Sequence, residues 1–424
     1  MNKFVKFLSF LVIFLFPFQT RLIYKPAYLG GYYFEWFSQS LSGIEILIWL
    51  IVIITFFRLI SNKTFWLDIN QARDKKERIM KIIRPALFLF FLVLYLFVAP
   101  LNRELAEYKI FLLLGVACFS LTLLINKIPF WQILMVLWGG GIVQSFLAIE
   151  QFVFQRTWEN KWLGLAEHYP SDLGAAVLQA TDGGRWLRAY GSFGWPNDLG
   201  FYLSLAFIVG LFLYGYFPKI KEKMFISVGQ LLIITGLFFS FSRASFIALL
   251  SGLIIWLLME KAKNWKILIP PLILILILST ICLPLWQSRI LAENRLETRA
   301  ISERFDQYKD FSEIFLAHPI LGVGPGNYVY ALFSQKLILT PWIYQPVHNV
   351  YLLFLAEWGI IGALVILCLA FYFFREVFKN NKAILPLWII VLTAFFFDHY
   401  FYTTYSGMII LAFLTSASLI KKEV

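Results

Sequence analysis

Cysteine is nearly missing from this chain of 424 residues: Cys118, Cys282 and Cys368 are all it has, and each falls inside an apolar run where it says nothing about redox compartment. No cysteine–histidine spacing for zinc occurs, and no Asp-x-Asp pair exists to hold a divalent metal against a nucleotide sugar, so the expectation is chemistry without metal or cofactor. Charge is scarce too, at 15% of residues, and acidic residues are the scarcer sign, 25 against 37 basic ones, for a net charge of +12. Set against 60% hydrophobic residues, so little charge makes the chain too apolar for a soluble domain of this length.

What is abundant is apolar. With 60% hydrophobic residues, 19% aromatics and a mean hydropathy of +0.73, the fold class is all-α, a polytopic membrane protein forming a single integral domain over 1–424. About twelve stretches are long enough to cross a bilayer, some with tilt or a flanking aromatic: 4–19, 41–60, 85–100, 109–126, 130–152, 198–217, 224–241, 244–259, 267–285, 346–374, 383–400 and 405–420. The first, with Lys3 and Lys6 ahead of an apolar core, has the look of a signal peptide. No small-residue cleavage site follows it, and PFQTRLIYKP reads as a retained helix end. Lysine-rich segments at 58–84, 218–224, 260–266, 375–382 and 421–424 fall on one side if the spans alternate, which makes that side and both termini cytoplasmic. The basic charge then serves orientation and contact with anionic membrane lipids, ahead of nucleic acid.

Two outer segments, 153–197 and 286–345, exceed the usual connection length. The first carries Trp158, Trp162, Trp186 and Trp195 with Asp172 and Asp182, a mixture suited to stacking on sugars and equally to an interfacial aromatic belt. In the second, Ile301, Phe305, Tyr308, Phe311 and Phe315 recur at helical spacing among charged residues, which predicts an amphipathic helix along the membrane surface. The glycines of LGVGPGNY (Gly322, Gly324, Gly326) lack the lysine and hydroxyl residue of a phosphate loop, so a tight backbone turn is expected.

Arg243, in GLFFSFSRASFIALL, is the costliest residue, because a guanidinium at a bilayer centre costs roughly 2.5 kcal/mol or more unless paired or wet. It is either an outer headgroup anchor at a helix-hairpin turn or a functional group, and intramembrane ionisable residues favour the second. Arg188, in RWLRAYGSFGWPND, either meets a headgroup or binds substrate phosphate, while Asn197 and Asp198 are placed to cap the next span. Arg304 sits on the surface helix; Arg185, Arg289, Arg295 and Arg299 share the same two readings. A cluster of guanidinium forks would hold a diphosphate and stabilise it as a leaving group, which points to a diphosphate attached to a lipid. His348, with Asn349 beside it, stands at the mouth of an apolar helix. On that helix His348, Leu352, Leu355, Gly359 and Gly362 share a face ending in two glycines that would let a neighbouring helix approach. A titratable group there suits proton transfer. His168 and His318 read as structural, and Asp398 with His399 forms a second polar pair placed to orient substrate or His348.

Three features resemble the O-antigen ligase and polymerase superfamily of bacterial envelope glycosyltransferases: His348-Asn349, nine residues, then Gly359-x-x-Gly362; the SRAS turn with Arg243; and the surface helix with Arg304 followed by HPILGVGPGNY. The resemblance covers about 185–362. It implies transfer of a glycan from an undecaprenyl-diphosphate carrier to an acceptor hydroxyl, without metal and with inversion, on the outer face of the plasma membrane. Carried over, Arg243 and Arg304 would bind the diphosphate and His348 would activate the acceptor. Arg188, Asn197, Asn349, Asp398 and His399 are the remaining substrate-binding candidates. Only about twenty residues separate GVGPGNY from His348, so the acceptor, whether a lipid A core, a glycan end or a protein side chain, meets a small loop. A ligase leads this reading, with a polymerase of the same superfamily next; a transporter or flippase fits the many spans and buried charge, but paired Gly/Pro-broken spans in two matching halves are not seen.

Overall fold

The computed structural model describes residues 3–61, 95, 98–180, 183–259, 264–291 and 295–420. Most of the expected span 85–100, nearly all of the lysine-rich segment 58–84, residues 260–263 of the segment 260–266, Asp182 and the lysines of 421–424 lie outside the described residues. The chain is mainly helical: α1 (Lys3–Leu15), α2 (Gly43–Ser61), α3 (Arg103–Ile125), α4 (Phe130–Phe154), α5 (Pro196–Tyr216), α6 (Ile220–Phe239), α7 (Arg243–Met259), α8 (Ile269–Ile281), α9 (Leu283–Leu291), α10 (Arg295–Ala317), α11 (Tyr328–Lys336), α12 (Val350–Asn380), α13 (Leu385–Ala394), α14 (Tyr400–Thr403) and α15 (Tyr405–Leu419). Among the described residues, α2, α3, α4, α5, α6 and α12 are long and apolar enough to cross a membrane, and a bent pair, Trp265–Ile281 with Leu283–Ala317, would make a seventh. Among the described residues six or seven of the expected twelve are therefore seen, because several apolar runs are interrupted: 383–400 stops at Ala394, and α7 and α15 are shorter apolar helices.

Helices α4, α5 and α6 pack on one another, α5 continues onto α7 and α13, and α3 packs on α2 and α15. The main core runs through these helices, with Tyr202, Phe207, Phe238 and Trp256 almost fully buried. Between α1 and α2 the chain forms two small antiparallel pairs, β1 (Arg21–Lys25) with β4 (Gln39–Ser42) and β2 (Tyr28–Leu29) with β3 (Tyr32–Tyr33). Phe34 from this hairpin joins a second, smaller core with Ile314 of α10, Tyr328 and Leu332 of α11, Tyr344, Val350 and Tyr402. The segment 153–197 is partly ordered by its own hairpin, β5 (Val177–Gln179) with β6 (Arg185–Leu187). The expected amphipathic helix is α10, although Ile301, Phe305 and Tyr308 are exposed while Ile314 is buried.

The glycines after His348 do other work than expected. Helix α12 begins at Val350, capped by the Asn349 side chain accepting from the Leu352 N–H at 3.1 Å, so His348 precedes the helix and shares no face with Gly359. Gly359 itself breaks the helix at φ 64°. A Cβ there would lie 2.3 Å from the Ile320 carbonyl oxygen, so what approaches closely is the 318–324 loop and no neighbouring helix. Four backbone bonds seat that loop in the break: the N–H groups of Val323, Gly324, Ile360 and Ile361 reach the carbonyls of Ala356, Glu357, Pro319 and Ile320. The buried Glu357 carboxylate reinforces it, accepting from the Gly326 N–H at 2.8 Å and the Tyr402 hydroxyl at 2.6 Å. Lys109 of α3 donates to the Tyr402 carbonyl beside them. Gly359→Ala should therefore destabilise the protein by about 1–3 kcal/mol from the backbone strain alone, before any clash. A thermal melt in detergent at or above the wild-type midpoint would refute the close-approach account.

Candidate active site

The turn between α6 and α7 brings Arg243 to the first position of α7, the hairpin position the sequence allowed, but the guanidinium is engaged by protein. Its NH1 donates to the Arg289 carbonyl at 2.6 Å and its NH2 to Glu297 Oε2 at 3.1 Å. The other carboxylate oxygen, Oε1, receives NH1 of Arg289, whose Nε reaches the Phe241 carbonyl at 3.3 Å. Glu297 is buried and sits on the first turn of α10, where the helix dipole favours a carboxylate. Pairing answers the cost of burying these charges.

Arg188 stands behind this group, buried, and so is no headgroup anchor. Its Nε donates to the Ser240 carbonyl and its NH2 to Asn197 Oδ1, both at 2.8 Å. Burial, and then the charge of Arg289, lower its pKa to about 9, which leaves it a cation at neutral pH. Arg243 and Arg289 lie within electrostatic reach of Arg188, and Arg304 within reach of Arg243. The structure thus gathers Arg188, Arg243, Arg289 and Arg304. Arg185 bonds the Asp172 carbonyl within the 153–197 segment, and Arg299 pairs with Glu303 along α10, so both are engaged elsewhere.

Asn197 and Asp198 were expected to cap the following helix. Instead α5 starts at Pro196, whose fixed φ suits the first turn, and Asn197 becomes a relay: its amide nitrogen donates to Asp398 Oδ2 at 3.0 Å while its oxygen accepts from Arg188. Asp398 lies in the turn between α13 and α14, where Oδ1 accepts the N–H groups of His399 and Tyr400 at 2.7 and 3.3 Å. Burial alone would raise its pKa, but His399, His348 and the Asn197 donor together hold it below the ordinary carboxylate range. His399 Nδ1 pairs with Thr403 Oγ1 at 2.7 Å, and its ring meets Trp36 of the N-terminal hairpin at 5.8 Å and His348 at 5.0 Å, centroid to centroid. Burial, only partly countered by Asp398, pushes its pKa down to about 4.

His348 is partly buried and its partner is Gln307 of α10, absent from the sequence-derived candidates. Gln307 Oε1 faces His348 Nδ1 at 2.9 Å and also accepts the His348 backbone N–H at 3.2 Å. An amide oxygen only accepts, so Nδ1 carries the proton and Nε2 keeps its lone pair. Burial lowers the imidazole pKa further than Asp398 raises it, so the ring is neutral at pH 7. The Asp398–His399 pair flanks this histidine and Gln307 orients it. The signal for Gln307 was its place three residues after Arg304 on one helix. Gln307→Leu should lower turnover about tenfold to a hundredfold, the usual cost of deleting an orienting partner. Gln307→Glu keeps the acceptor, should recover most of the rate, and should move the acid limb of the rate profile upward because its charge favours imidazolium. Identical profiles for all three proteins would remove Gln307 from the site.

His168 stacks on Tyr190 at 4.9 Å, and the His318 backbone N–H closes the C-terminal end of α10. Among the described residues no group of three or more His, Cys, Asp or Glu side chains is placed to hold a metal ion. No curated protein matches the chain. Residues 228–367 match the family model described as O-antigen ligase, a stretch that includes Arg243, Arg289, Glu297, Arg304, Gln307 and His348 and leaves Arg188, Asn197, Asp398 and His399 outside. Over those residues the chain is therefore similar to the O-antigen ligase family that its histidine motif resembles.

Proposed function

We propose that this membrane protein is a glycosyltransferase of the ligase type. It moves a glycan from an undecaprenyl-diphosphate carrier to an acceptor hydroxyl on the outer face of the plasma membrane, with inversion and without a metal ion. The observation that carries this reading is the convergence on α10: Glu297 engages the guanidinium pair, Arg304 lies in reach of both Arg243 and His348, and Gln307 fixes the histidine. Cation cluster and base are thereby held by one rigid helix.

In the proposed step, His348 Nε2 takes the acceptor proton as the hydroxyl oxygen attacks the anomeric carbon. The bond from that carbon to the phosphate oxygen breaks and its electron pair stays on the oxygen of the leaving diphosphate. Arg243, Arg289 and Arg304 stabilise that charge with fork geometry matched to phosphate oxygens, in the role a divalent cation plays elsewhere. Arg188 holds Asn197, and through it Asp398, so the histidine pair keeps its place. The proton then leaves imidazolium for water. Direct attack on the anomeric carbon inverts it.

The test is transfer in vitro from purified undecaprenyl-diphosphate glycan, with the free lipid diphosphate measured as product and EDTA expected to leave the rate unchanged. Passage of the intact donor across a vesicle with no lipid diphosphate released would replace transfer by transport.

A further inference from the structure

Glu297 is an odd neighbour for a site meant to take anions. It is 5% exposed, and its two oxygens each take one guanidinium, Arg243 on Oε2 and Arg289 on Oε1. A carboxylate spread across two arginine forks uses the same donors, in the same bridging manner, that a phosphate would use. Structural need alone does not account for it. Arg289 already has the Phe241 carbonyl and Arg243 the Arg289 carbonyl, so both side chains are positioned by backbone acceptors without Glu297. The Arg243 side chain remains 38% exposed, open to a ligand from outside, while that of Glu297 is 7% exposed and lies behind it.

We infer that Glu297 is the resident counter-ion of the anion seat: it competes with the donor's diphosphate for Arg243 and Arg289 and so limits how tightly the spent lipid diphosphate is held. This inference rests on the glycosyl-transfer reading above. Four clustered guanidinium groups with no internal acid would bind a diphosphate strongly, and the product carries more charge than the donor because the glycosyl ester has become a free phosphate oxygen. An enzyme that must release that product gains turnover from a built-in competitor. Glu297 also lies seven residues before Arg304, close to two helical turns, so the acid and the unpaired-by-Glu297 arginine sit on the same side of α10.

The experiment uses the full-length protein in nanodiscs, with inorganic pyrophosphate and undecaprenyl diphosphate as probes. Glu297→Gln keeps shape and one acceptor but removes the charge. It should bind both probes about tenfold more tightly, the effect of losing one charge-assisted competitor. In the transfer assay it should lower donor KM and kcat together, with turnover limited by product release. Glu297→Asp keeps the charge but is too short to bridge both forks, and should fall between; it decides the matter if the glutamine variant does not fold. Unchanged or weakened probe binding in the folded variants would overturn the inference, the weakened case making Glu297 a strut. If the wild-type protein itself binds neither probe, the failure belongs to the glycosyl-transfer reading.

Discussion

His348→Ala should slow glycan transfer by about 10²- to 10⁴-fold, the usual contribution of a positioned general base, while donor binding stays near the wild-type value. The separation follows from the geometry: the imidazole is held by Gln307 on one side and flanked by His399, and no arginine of the cluster donates to it. Its pH dependence is equally specific. Burial holds the imidazole pKa below 6.5, so the basic form predominates at neutral pH. The rate should climb with pH through that lowered pKa and then level off, and this acid limb should vanish in the alanine variant. Turnover and donor affinity measured from acid to neutral pH check both. A variant with the wild-type rate would remove His348 from the chemistry.

Arg243→Ala should cost about 10²- to 10³-fold in kcat/KM, comparable to deleting a donor that meets charge developing in the transition state. Its effect should appear in donor affinity as well, the opposite signature to that of His348. Arg243→Lys is informative because it keeps the charge. One ammonium cannot at once serve the Arg289 carbonyl, Glu297 and a phosphate oxygen as a planar fork does, so the lysine variant should also be clearly impaired. Expression level and melting temperature are measured alongside, since among the described residues Glu297 would retain only Arg289 as its partner. Full activity in the alanine variant would leave the arginine only a structural partner of Glu297 and the Arg289 carbonyl.

The residues that could be read beforehand were those whose chemistry contradicts their surroundings. Arg243 in an apolar stretch and His348 at a helix mouth are conspicuous because membrane helices tolerate few such groups, and both contact α10 in the candidate site. Glu357 obeys the same rule, a buried acid in the apolar first part of α12, and was passed over although it ties the 318–328 loop to that helix. Gln307 carried no such contrast. It is one polar residue among many on α10, and it reaches His348 across 41 positions of sequence, a pairing that local periodicity does not encode. The hairpin of 21–42 was invisible for another reason: β1 is exposed throughout, so it shows no alternation of apolar and polar residues. The glycines of the histidine motif were read as the place where a neighbouring helix approaches; at Gly359 the approaching partner is a loop instead, and the positive φ that makes room for it is a property of the folded backbone.

Helix α10 has one more consequence. With Glu297, Arg304 and Gln307 fixed along a single rod, the separation between the proposed seat of the leaving group and the proposed base is set by residue count, about 1.5 Å for each position. A residue added or removed between 297 and 307 would turn the two ends by about 100° relative to each other, so that cations and base would no longer look into the same space. The helix is a ruler, and its graduations allow substitution far more readily than insertion. Diversity in what such a transferase accepts has therefore to come from chain outside this rod, where length can change without unsetting the chemistry.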